Sequence, residues 1–198
     1  ITEISNSGKK KIIKLKSGEE VEADIIIASI GVVPDSELAK SAGLKMTSKG
    51  AVEVDEYLKT SDSDIYAVGD VIEVTNAVTG QKTLVPLAGP ANKQGRTAAD
   101  NILGREEKYT GTVGTSIMKF FNMTAASTGV NEKYLKKQDI NYKSLFIIKA
   151  DHAGYYPRAS DIYFKILFEP ETGKIFGAQA VGEKGADKKI DIIATAIL

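Results

Sequence analysis

A chain of 198 residues is long enough to bury one core or two, and its 26 lysines and arginines are balanced by 26 aspartates and glutamates. Zero formal charge gives no electrostatic ground for nucleic acid or an anionic membrane as partner, and no apolar run approaches the roughly 20 residues of a membrane span, so a cytoplasmic protein is expected. The absence of cysteine excludes disulfides, thiolate metal sites and a thiol nucleophile within these residues.

Lys11 to Lys16 and Glu20 to Asp24 read as strands around a Ser17–Gly18 hairpin turn. Ile25 to Ile30 is wholly apolar, which predicts a strand needing cover on both faces. No neighbours for it are evident, and with no initiating Met the sequence reads as a piece of a larger protein. Gly31 to Pro34 forms a turn, Ser36 to Ala42 a short helix stopped by Gly43, and Ala51 to Val54 a strand. Ile65 to Val68 predicts another short strand suited to burial on both faces. A helix follows, with Pro86 or Pro90 in its first turn and Ala91, Ala98, Ala99, Ile102 and Leu103 favouring close packing.

From about Gly114 the pattern changes to antiparallel α+β. Strands are predicted at Ile117 to Phe121, Ser144 to Lys149, Asp161 to Phe168 and Lys174 to Val181. Asn131 caps a helix running to about Lys137, Glu169 to Gly173 makes a hairpin turn, and Gly185 opens a final helix. There is no internal repeat and no low-complexity tract.

Three places carry candidate chemistry. Gly69 ends the apolar run of TSDSDIYAVGD (Thr60 to Asp70), and the missing β-carbon permits close approach of a ligand. Asp70 follows at the strand end, where open sheets form ligand crevices. An ionised carboxylate only accepts hydrogen bonds, so it suits ribose or ribitol hydroxyls and repels phosphate; the plain alternative is an Asp capping the next turn. The start of the following helix offers unpaired N–H groups and about half a positive elementary charge to an anion, or it is an ordinary packed helix. HAGYYP (His152 to Pro157) holds the only histidine beside two tyrosines, a set more often met in interface or core packing than in chemistry.

TSDSDIYAVGD resembles the second flavin-binding motif of the pyridine nucleotide-disulfide oxidoreductases. ADIIIASIGVVPDSELAKSAGL (Ala23 to Leu44) is similar to the family's passage from its nicotinamide domain back into its flavin domain. VPLAGPANKQGRTAADNILG (Val85 to Gly104) is similar to the helix after the motif. HAGYYP resembles the segment marking the coenzyme A-disulfide reductases, although Arg158 stands where that segment is expected to carry glycine.

The resemblance implies a partial α/β fold of the three-layer FAD/NAD(P)-binding type followed by an α+β interface, or dimerisation, domain. Residues 1–30 would end the NAD(P)-binding domain, 31–113 would be the C-terminal part of the FAD-binding domain, and 114–198 a truncated dimerisation domain forming a homodimer. FAD and NAD(P)H are the implied cofactors. Asp70, Gly69 and the backbone of Leu87 and Ala88 would meet FAD, and His152 would lie against the flavin of the neighbouring subunit. Gly31 would lie near the nicotinamide or be a plain turn glycine. Asn92 would contact a thiol substrate, or simply be a solvated or capping Asn. Tyr156 would be the substrate-side phenol, protonated at neutral pH like ordinary phenols and able to donate to a leaving thiolate.

Electrons would pass from NAD(P)H through FAD to a cysteine exchanging with coenzyme A disulfide or a persulfide. Such exchange needs a sulfur nucleophile. None is present and neither is a GxGxxG motif, so these residues alone are expected to be inactive. An NADH oxidase or peroxidase of the same family, and a non-catalytic dimerisation module, are the competing readings.

Overall fold

Alternation of short polar and apolar residues around the Ser17–Gly18 turn builds an antiparallel sheet at the N-terminus. Strands β1 (Glu3–Ser7), β2 (Lys10–Lys14) and β3 (Glu20–Ala23) pair in that order, with Ile4 opposite Ile13 and Ile13 opposite Val21. The computed structural model describes all residues 1–198, and their contacts divide them into two units, Ile1–Val33 and Pro34–Leu198.

The strand expected at Ile25 to Ile30 does not form. These residues join no ladder, and Ile25, Ile27 and Ile30 are 79%, 86% and 92% exposed. Apolar, β-branched residues favour a strand only where neighbouring backbone supplies donors and acceptors, and none here does.

In the second unit, helix α1 (Glu37–Ser41) matches the expected helix and stops at Gly43, whose φ of 76° is left-handed. The expected strand near Ala51 shrinks to Val52, which bridges Met46 on one side and Ile72 on the other. Val52 is buried with Leu44, Leu58, Ile72, Val74, Ala98 and Tyr109. A two-stranded ribbon of β4 (Val74–Thr75) and β5 (Lys82–Thr83) precedes helix α2 (Ala88–Ile102).

Ile65 to Val68 likewise falls short of a doubly buried strand. Tyr66 makes one antiparallel bridge to Lys59, and the Ala67 N–H donates to the Leu58 carbonyl at 3.1 Å. Tyr66 and Ala67 pack on the core while Ile65 and Val68 remain exposed. Side-chain burial, not a ladder, fixes this segment.

The rest is a five-stranded antiparallel sheet. Strands β6 (Ser116–Phe120), β7 (Met123–Gly129), β8 (Lys143–Ala150), β9 (Asp161–Phe168) and β10 (Ile175–Gly182) stand in the order β6-β7-β10-β9-β8. Helix α3 (Glu132–Lys137) follows β7, and helix α4 (Ala186–Ile197) follows β10. Ladder register puts Ile117, Ala126, Ala180, Phe164 and Ile147 in one cross-strand row. The adjacent row is Met118, Ala125, Val181, Tyr163 and Ile148, on the opposite face. Helix α4 covers the first face, burying Ala126, Ile162, Ala178 and Ala180 against Ala186 and Ile190. Helix α3 covers only one end of the second, where Leu135 and Leu167 are buried with Val113, Val130 and Phe176.

Turn chemistry places these elements. The Asn131 side-chain oxygen accepts the Tyr134 N–H at 2.9 Å, capping α3 as expected. Glu169 and Lys174 close the β9–β10 hairpin with a bond of 2.9 Å. Gly177 sits at a β-bulge where a β-carbon would strike the Val130 carbonyl oxygen.

Candidate functional site

Gly69 begins a single 3-10 turn, Gly69–Val71, after an extended Val68. Its φ of 82° is left-handed, and a β-carbon there would lie 3.8 Å from the Ala91 side chain on α2. The Gly69 N–H donates to the Gln94 side-chain oxygen at 2.6 Å. Gln94 is 1% exposed, so this bond ties the turn to the middle of α2 from inside the core. The sequence signal for Gln94 lay in its spacing: with Ala91 and Ala98 it stands at i, i+3 and i+7 on one helix face. That face is the packed one. Ala99, Ile102 and Leu103, expected to pack closely, are exposed instead because α2 turns them away from the core.

Asp70, the next residue, is exposed and makes no side-chain hydrogen bond or ion pair within the chain. It does not cap the following turn. The start of α2 is also unoccupied by side chains: Leu87 is extended at φ −134° and ψ 141°, no side chain caps Ala88, and Pro90 in the first turn has no N–H. The turn that carries the Asp70 carboxylate thus packs on the N-terminal half of α2 through Ala91 and Gln94, although 17 residues of sequence separate Asp70 from Leu87. Asn92 is exposed one turn into the helix and accepts from Arg96 at 3.3 Å across an i, i+4 pair. Tyr109 packs in the same core as Ala98, and burial pushes its phenol above the ordinary value, opposed by the Gln94 amide.

The second candidate place is the loop 151–160 between β8 and β9. Asp151 N–H donates to the Ser160 carbonyl at 2.8 Å, and Ser160 N–H returns a 2.8 Å bond to one Asp151 carboxylate oxygen. The other oxygen lies 3.0 Å from His152 Nδ1. The Ser160 N–H is the chief cause holding the Asp151 carboxyl below its ordinary value, with His152 adding to it. His152 and Tyr156 rings meet edge-on with centroids 6.3 Å apart, and Tyr155 stacks at a tilt on Tyr156 at 4.8 Å. Both tyrosines are exposed. Arg158 adopts φ 67°, the left-handed region glycine occupies without strain, so the arginine at this position imposes a backbone penalty of about 1 kcal/mol.

No hydrogen bond, ion pair or ring contact joins Asp70, Leu87, Ala88 or Asn92 to His152 or Tyr156 within one chain. Gly31 belongs to the N-terminal unit, with φ 89° and open space around it, the conformation a turn glycine requires. No helix is long and apolar enough to cross a membrane. No group of three or more His, Asp and Glu side chains is arranged to hold a metal ion.

Residues 1–95 match the family described as pyridine nucleotide-disulphide oxidoreductase, and residues 115–198 match its dimerisation domain. The chain belongs to this family, and its fold is the mixed α/β type of that family with its dimerisation domain. It is 36% identical over 180 residues to the NAD(P)H sulfur oxidoreductase (CoA-dependent) of Pyrococcus furiosus, covering 90% of this chain and 41% of that protein. Reduced CoADR-RHD from Bacillus anthracis superposes with a TM-score of 0.89 at 49% identity, over 94% of this chain and 34% of the other. A NAD-dependent persulfide reductase from A. fulgidus gives a TM-score of 0.90 at 42% identity, over 98% of this chain and 36% of the other. The chain thus spans about two-fifths of the curated relative's length.

Proposed function

We propose that this chain is the C-terminal portion of an FAD-dependent NAD(P)H oxidoreductase that reduces coenzyme A disulfide or a related persulfide, and that it works as a homodimer. Residues 1–30 then end the NAD(P)-binding domain, 31–113 complete the FAD-binding domain, and 114–198 form the dimerisation domain. The observation that carries the reading is Asp70. An exposed carboxylate with no partner in its own chain, held beside a left-handed glycine and an uncapped helix start, fits a polyhydroxy chain attached to an anion-forming ring.

FAD, when bound, supplies the two-electron relay between NAD(P)H and the disulfide. Asp70 accepts hydrogen bonds from its ribityl or ribose hydroxyls, and the Leu87–Ala88 backbone at the start of α2 stabilises negative charge on its ring. Gln94 keeps Gly69 and the helix start together, so both contacts arise from one rigid corner. His152 and Tyr156 serve the partner's site, which accords with their lack of contact to Asp70 in one chain. Tyr156 donates a hydrogen bond to the leaving thiolate, and Asn92 orients the thiol substrate. Gly31 borders the nicotinamide. The coenzyme A and persulfide chemistry named for the relatives supports this substrate class. With no cysteine in residues 1–198, thiolate exchange has no nucleophile here, and the chain by itself is expected to be inactive.

The test is NADH oxidation by the complete gene product with coenzyme A disulfide or oxygen as sole acceptor. Reoxidation of a bound flavin by the disulfide, lost on Tyr156→Phe, supports the reading. Turnover with oxygen alone, indifferent to Tyr156→Phe, transfers the protein to the oxidases.

A further inference from the structure

We propose that Asp151 is a positioning residue that fixes His152 as the Nδ1–H tautomer, so that the loop presents Nε2 as a hydrogen-bond acceptor for a thiol. Asp151 has the geometry of an orienting carboxylate. Its side chain is only 7% exposed, whereas that of His152 is 36% exposed, so the acid is anchored in the fold and the base faces outward. One carboxylate oxygen is fixed by the Ser160 backbone N–H at 2.8 Å, which stops the group from rotating. The other lies 3.0 Å from Nδ1. An ionised carboxylate can only accept, so the neutral ring must carry its proton on Nδ1 and leave the Nε2 lone pair free.

The same residue closes the loop at its base. With the Asp151 N–H bonded to the Ser160 carbonyl, the two ends of the segment are held at both positions of the pair. Tyr156 N–H donates to the Ala153 carbonyl at 3.0 Å, which fixes the second aromatic group relative to the first. His152 and Tyr156 are therefore presented as one unit, with an acceptor at Nε2 beside a phenolic donor. A pair of that kind suits a thiol and its thiolate. The S–H proton passes to Nε2, the sulfur keeps its electron pair as thiolate, the phenol donates to that thiolate, and Asp151 balances the imidazolium formed. The choice of thiol rests on the reductase reading above; the tautomer does not.

His152 is the only histidine, so its imidazole ¹⁵N resonances in the 198-residue protein are free of overlap. Two-bond ¹H–¹⁵N correlation spectra at about pH 9, where an ordinary imidazole is neutral, report which nitrogen holds the proton. The expected result is a dominant Nδ1–H form in the native chain. In Asp151→Asn the amide supplies a donor or acceptor alike, and that dominance should be lost while the backbone amide spectrum outside 150–161 stays in place. A native chain with mainly the Nε2–H form overturns the proposal without any variant. In the complete enzyme, Asp151→Asn should lower kcat for the disulfide about tenfold with KM changed less than twofold. An unchanged kcat overturns the catalytic part even where the tautomer is as expected. An enzyme inactive on disulfide and persulfide alike overturns the functional reading and leaves the tautomer result standing.

Discussion

The two faces of the five-stranded sheet are built from the same strands, one register step apart, and they end in opposite environments. On the face under α4, Ala126 and Ala180 are buried, their small side chains letting the helix approach so that Ile190 reaches the sheet. On the other face, Met118, Val181, Tyr163 and Ile148 form an exposed row, joined by Phe120 and Phe146. Size explains part of the contrast. The alanines at the middle of the first row, Ala126 and Ala180, accept a helix, while α3, six residues long, covers the opposite face only at its end near Leu167. A contiguous apolar surface of this kind on a domain matching a dimerisation family is what a second copy would cover.

That contrast can be broken from either side. The largest effect belongs to the covered face: Ile190→Ala should cost about 2–5 kcal/mol in urea unfolding, because Ile190 is 1% exposed and packed among Ala126, Ile162, Ala178 and Ala180. A cost below 1 kcal/mol would mean that α4 is loosely docked. On the open face, Met118→Lys with Tyr163→Lys should leave monomer stability within about 1 kcal/mol. The proposed homodimer should be weakened about a hundredfold in sedimentation equilibrium, since two charges per subunit would be buried without partners. An unaltered dimer would move the interface elsewhere.

Smaller effects probe the end of the open face that α3 does cover. Asn131→Ala removes the cap on α3 and should cost about 1 kcal/mol in thermal or urea unfolding. Glu132 binds the α3 start to β9 through Lys165 and to Tyr142, whose hydroxyl donates at 2.6 Å. The Lys165 and Tyr142 hydrogen bonds lower the Glu132 carboxyl from 4.5 to about 2. Its folded value lies below its unfolded one, so its contribution is complete above about pH 5 and is lost as pH falls toward 2. Glu132→Gln should flatten the acid limb of a stability-versus-pH curve between those values. A limb as steep as the native one would assign the acid loss to other carboxylates.

Local signals made much of this fold readable. The Asn131 cap, the Gly43 stop, the Glu169–Gly173 hairpin and strands at 161–168 follow from side-chain chemistry acting over a few residues, and each stands in the structure. Strand β7 did not announce itself, because Met123–Gly129 is mostly small and polar; it forms because β6 and β10 saturate its backbone on both sides. The converse holds at Ile25 to Ile30, where strand-favouring residues have no such neighbours. At the candidate site, Gly69, Asp70 and the HAGYYP loop were legible as motifs, whereas Gln94 and Asp151 were not. Gln94 holds Gly69 from 25 residues away, and Asp151 beside His152 is fixed by Ser160 nine residues on; a linear pattern does not carry such pairings.

The sequence by itself pointed to the family through motif strings such as TSDSDIYAVGD and HAGYYP, and within the first of them Gly69 answers a local need, a left-handed backbone. The tertiary structure alone decided which apolar residues are covered and which are presented, which nitrogen of His152 faces a fixed carboxylate, and which polar group holds the Gly69 turn on α2. Those outcomes depend on distances between segments, and such distances are fixed only when packing and backbone pairing are satisfied together.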